Sequence, residues 1–108
     1  MGNNSGTTMI DRISKNEERL DHILLSVRNL EKVLSDFKSQ KNNLRLLNNY
    51  YSSKNWLKDK DAYEEGRIQS IKAGVLSEDA VWNLNEDIAD LLKEMKTIAE
   101  DISFSQGV

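Results

Sequence analysis

Apolar side chains recur along this chain at alternating intervals of three and four. Ile13, Asn16, Leu20, Ile23, Val27, Leu30, Leu34, Phe37, Lys41, Leu44, Asn48 and Tyr51 form the series, and nine of these twelve are apolar or aromatic. That spacing lines one face of an α-helix, whereas a half-buried strand alternates with period two. The result is a heptad seam interrupted by Asn16, Lys41 and Asn48. Leu24, Val33 and Leu47 widen the stripe, which suits a helical bundle better than a two-stranded coil. No helix-breaking signal occurs before Ser52 and Ser53. The pattern therefore predicts one helix over residues 8–51, capped by Thr8 with Asp11 three residues on, and about 65 Å long. Such a rod cannot bury its stripe alone.

The period returns near the end. Val81, Leu84, Ile88, Leu91, Met95, Ile98 and Ile102 step by threes and fours with no polar break. Ser77 is placed as N-cap, Glu78 and Asp79 put negative charge where the helix dipole favours it, and Leu76 and Val81 stand at the positions of a hydrophobic staple. This predicts a helix over 77–102, roughly 39 Å long. Antiparallel pairing would leave about 25 Å of the first helix for the middle segment or a second subunit to cover. Between the two, residues 54–73 read as a short helical insert. One helix is capped by Ser53 and ended by Gly66, and a further turn over 67–73 is anchored by Ile68 and Ile71 and closed by Gly74. Lys58, Asp59, Lys60 and Asp61 would face mostly outward.

The fold class this predicts is all-α: a long antiparallel helical hairpin, coiled-coil-like, with a short helical insert at the turn. Dimerisation would convert it into a four-helix bundle. The expected organisation is a flexible leader over 1–7, one helical domain over 8–103 and a frayed tail over 104–108.

Composition narrows the chemistry. At 108 residues the chain is one domain at most and too small for a large enclosed pocket. Fifteen basic residues against eighteen acidic ones, net −3 and interspersed, argue against nucleic-acid binding. Arg12, Lys15, Arg19, Arg28, Lys32, Lys38, Lys41 and Arg45 lie along the first helix but are mixed with acids. Without cysteine there is no disulfide, zinc-thiolate site or thiol nucleophile, and a cytoplasmic setting fits. The absence of proline favours long helices. No apolar run approaches the ~20 residues that span a bilayer, and no secretory signal is visible. The opening MGNNSG nearly matches a myristoylation pattern, except that Gly6 holds the Ser/Thr position.

Several residues together carry a family resemblance. They are Met9 to Ile13, Glu18 to Asp21, the pair Tyr50 and Tyr51, Trp56, and the run GVLSED from Gly74 to Asp79, followed by Trp82 and Leu84. In this order they resemble the domain-of-unknown-function family DUF4298, over roughly residues 9–102. The resemblance implies a small all-helical bacterial protein with no assigned activity, and a natural start at Met9.

Candidate chemistry is sparse. His22, the single histidine, lies two residues past seam position Leu20, so it points outward with no triad to join. Glu17 with Asp21, Asp87 with Glu94 and Asp90 with Glu94 are acidic pairs, but the Glu-x-x-His motif of helical di-iron sites is missing. No metal or other cofactor is expected. Glu78 and Asp79 are explained as first-turn acids. The aromatic residues Tyr50, Tyr51, Trp56, Tyr63 and Trp82 should gather where the chain reverses. They are either a satellite core locking the insert onto the helices or a recognition surface, since tyrosine and tryptophan are enriched at binding hot spots. The polar seam residues either fix a register or mark where cover ends.

The reading is an interaction or self-association module, its partner another protein or a second copy, with no nucleic acid and no membrane. The alternative is a small-ligand-binding protein or enzyme using the aromatic end, with Asp59, Tyr63, Glu65, Arg67 and Asp79 as polar lining.

Overall fold

In a computed structural model of the chain, residues 3–105 are described, with side chains described over 6–103. Four α-helices and no strand occur among the described residues: α1 (Asn3–Ser39), α2 (Lys41–Tyr51), α3 (Lys54–Glu64) and α4 (Ala80–Ser105), with a 3-10 turn at Gly74–Leu76. The class is all-α, as the seam spacing implies. None of the described helices is long and apolar enough to cross a membrane. The chain divides into two compact units, Met1–Asn42 and Asn43–Val108.

The first unit is essentially α1. It starts at Asn3, so Thr8 lies inside the helix rather than capping it. No proline upstream of Thr8 stops the helix there. Of the leader expected over 1–7, residues 1 and 2 lie outside the described residues. The helix closes at Ser39. There the Ser39 hydroxyl donates to the Asp36 carbonyl at 2.5 Å, and the Gln40 N–H reaches back three residues to Phe37 at 3.0 Å. A side chain bonding the backbone competes with the helical ladder, and an i−3 bond tightens the last turn. The single helix expected over 8–51 is thus divided at Gln40.

In the second unit, α2 and α4 are antiparallel. Tyr51 meets Glu78 while Asn48 meets Asn85, so the pairs run in opposite chain directions. The insert between them begins as its sequence implies. Ser53 has extended backbone, and its hydroxyl oxygen accepts the Trp56 N–H at 3.3 Å. Gly66, at φ +73°, ends α3. Its N–H bonds Tyr63 at 3.1 Å and that of Arg67 bonds Ala62 at 2.9 Å, the two closing bonds of a Schellman motif.

Residues 67–73 do not form the further helical turn that Ile68 and Ile71 suggest, and Ile71 is exposed. Gly74 does not close a helix with positive φ; it opens the 3-10 turn. Leu76 and Val81, the two staple residues, are the buried apolar residues among those described, 8% and 2% exposed. The regular part of α4 begins at Ala80, after Ser77 has accepted the Asp79 N–H at 3.3 Å. Of the tail expected over 104–108, residues 106–108 lie outside the described residues, and α4 continues to Ser105.

Candidate functional site

The second unit is fastened by the aromatic residues near the turn and by the GVLSED run. Tyr51, at the end of α2, and Trp56, in the first turn of α3, meet edge to face with ring centroids 5.2 Å apart. The Trp56 indole N–H donates to the Val75 carbonyl at 2.9 Å, and the Tyr51 hydroxyl to the Glu78 carbonyl at 3.0 Å. These two bonds tie α2 and α3 to the segment entering α4. The Tyr50 hydroxyl donates to Asp59 Oδ2 at 2.6 Å, closing α2 against α3.

Lys60 completes the fastening. Its ammonium lies 5.9 Å from the Trp56 ring centroid, within cation–π range, and pairs with Glu64 at 3.2 Å and Glu78 at 3.1 Å. Its side chain is only 16% exposed. The expectation that Asp59 and Lys60 face mostly outward is therefore corrected. They sit three and four residues after Trp56, which places them on the tryptophan's side of α3.

Charge states follow the contacts. The hydrogen bond to the Asp59 carboxylate raises the Tyr50 pKa above the ordinary phenol value, and burial and the Asp59 charge add to it. Hydrogen bonds from Lys60 to Glu78 and Glu64 raise its pKa, against a smaller opposing effect of desolvation. No buried side-chain polar atom among the described residues lacks a hydrogen-bond partner.

Sequence reasoning missed Asn85. Its amide and that of Asn48 bond reciprocally: Asn85 Nδ2 donates to Asn48 Oδ1 at 2.8 Å, and Asn48 Nδ2 to Asn85 Oδ1 at 3.4 Å. Asn48, left open between two roles, thus pins the register of α2 against α4. The available signal was an asparagine on each stripe near the reversal, since Asn85 lies four after Val81 and three before Ile88. Asn16 behaves differently. It is exposed and satisfied on its own helix, donating to the Arg12 carbonyl at 2.8 Å and accepting from Arg19 at 3.2 Å.

Of the five aromatic residues, Tyr50, Tyr51 and Trp56 are brought into the fastening. Tyr63 and Trp82 are 41% and 60% exposed, and neither enters a ring contact among the described residues. The polar lining does not converge. Asp59 holds Tyr50, and Glu65 and Arg67 pair with each other at 2.7 Å in solvent. Asp79 contributes its carbonyl to Asn83 N–H at 2.8 Å. Glu78, expected only as a first-turn acid, precedes α4 and takes Lys60. His22 is exposed on α1. No group of three or more metal-ligating side chains is assembled among the described residues.

The sequence model of a family described as a domain of unknown function, DUF4298, matches residues 13–98. No curated protein and no solved structure matches the chain.

Proposed function

The chain belongs to the DUF4298 family of domains of unknown function, and from that premise we propose that it is a self-associating interaction protein whose apolar helix stripes are its working surface. One observation carries this reading: the stripes are exposed in the single chain. On α1, Leu20, Ile23 and Leu30 are 50%, 61% and 54% exposed; on α4, Leu91 and Ile98 are 58% and 49%. Contiguous apolar surface of this kind marks association sites. A helix in water draws most of its stability from packing an apolar face, so both stripes need cover. A heptad-spaced seam is covered best by another helix of the same period, and a second copy brings one.

The alternative, small-ligand binding at the aromatic end, is favoured only by the exposed rings of Tyr63 and Trp82. Of the polar groups expected to converge there, Asp59 is taken by Tyr50, and Glu65 and Arg67 pair with each other. The absence of cysteine supports a cytoplasmic setting.

Light scattering after size exclusion tests the proposal. The wild type should show at least twice the chain mass of 12.4 kDa, and Leu20→Lys with Val27→Lys should fall toward 12.4 kDa. A wild type that stays at 12.4 kDa and fully helical at high concentration would overturn it.

A further inference from the structure

The charges at the g positions beside the two exposed stripes differ in sign, and they select a pairing. With Ile13 and Leu20 as a positions and Asn16 and Ile23 as d, the g positions at the start of α1 are Arg12 and Arg19, and its e positions are Glu17, Leu24, Glu31 and Lys38. On α4, with Ile88 and Met95 as a positions and Leu91 and Ile98 as d, the g positions are Asp87, Glu94 and Asp101. Its e positions, Asn85, Leu92 and Ala99, carry no charge. Arg12, Arg19, Asp87 and Glu94 are all exposed. Flanking charges at e and g set partner choice and orientation between helices.

Antiparallel helices bring g against g and e against e; parallel helices bring g against e. We infer that in the self-associated form α1 of one copy lies antiparallel on α4 of a second copy, Arg19 facing Glu94 and Arg12 facing Asp101. The inference rests on the self-association proposed above and names the surfaces that meet. In this register Ile13, Leu20, Ile23 and Val27 stack on Ile98, Leu91, Ile88 and Leu84, and Asn16 faces Met95. Glu17 then meets the uncharged flank of α4. Parallel packing of α1 on α4 would set Glu17 and Glu31 on the side of the three acids, and antiparallel packing of α4 on α4 would oppose acid to acid. Parallel packing of α1 on α1 would leave the α4 stripe and its acids uncovered.

Charge exchange between copies tests the pairing. One variant carries Arg12→Glu and Arg19→Glu; the other carries Glu94→Arg and Asp101→Arg. Each alone opposes like charges at both contacts of a two-fold dimer, so its dissociation constant should rise by about tenfold or more. An equimolar mixture should recover the wild-type mass as a one-to-one heterodimer, because both of its contacts are then complementary. High salt, about 1 M, should narrow the deficit of each single variant, since exposed charges then interact over only about 3 Å. Circular dichroism checks that both variants remain helical. A wild-type dimer whose mass neither variant lowers, or a mixture that forms no preferential heterodimer, would overturn the pairing and leave self-association standing. A wild-type monomer would remove both.

Discussion

Among the described residues, the Asn48 and Asn85 side chains bond only each other and a helix carbonyl, and that mutual dependence sets what single changes there should do. Removing one amide strands the other in a half-buried position. Asn48→Ala or Asn85→Ala should cost about 1–2 kcal/mol in urea unfolding followed by circular dichroism. Replacing both by leucine removes both polar groups, so the double variant should cost less than the sum of the two alanine changes. A strictly additive cycle would mean the amides are not coupled. Tyr50 and Lys60 give the fold an alkaline sensitivity. In each the folded-state pKa lies above the unfolded one. Their stabilisation is therefore complete below the unfolded values, near pH 10, and is lost as pH rises through the raised folded values. Tyr50→Phe should lower stability at neutral pH and flatten the decline above about pH 10. An unchanged alkaline slope would show that the Asp59 contact contributes nothing.

The element scale separates what was legible in the sequence from what was not. The seam periods fixed the all-α class, and Ser53 and Gly66 bounded α3, because caps and left-handed glycines act through neighbours a few residues away. Leu76 and Val81 were legible as a staple for the same reason. The break at Gln40 was not, since neither glycine nor proline marks it and only a serine hydroxyl bonded to the Asp36 carbonyl accompanies it. Residues 67–73 were misread because Ile68 and Ile71 have helical spacing, while the Trp56 bond to Val75 holds the following segment from a distance in sequence. The later start of α4 has a similar origin, with the Glu78 carbonyl taken by Tyr51 and its carboxylate by Lys60. In the candidate site, the ring contact could be anticipated from residue type, but the roles of Asp59, Lys60 and Asn85 depend on partners that only the fold supplies. Two glycines give a paired prediction. Neither would meet a clash on gaining a Cβ, but Gly66 sits at φ +73° and Gly74 does not have positive φ. Gly66→Ala should cost about 1 kcal/mol, whereas Gly74→Ala should be near neutral or slightly stabilising. Equal melting temperatures for the two variants would contradict this.

At the scale of the molecule, most of the large apolar side chains among the described residues are exposed. Cover supplied by a second copy, as proposed above, would make stability depend on concentration. The melting temperature should rise with protein concentration, measured by circular dichroism over a hundredfold range. A melting temperature constant over that range would mean the single chain is stable without association. The Leu20→Lys and Val27→Lys variant should melt lower than the wild type and show little concentration dependence.

The unequal placement of the two tryptophans gives the protein a built-in optical reporter. Trp56 is half-buried, hydrogen-bonded and edge-on to a tyrosine, while Trp82 stands in water. Iodide should quench the fluorescence of Trp82 first, and a Trp82→Phe protein should emit from Trp56 alone. Its emission would then follow the opening of the α2–α3–α4 junction in real time, without any attached dye.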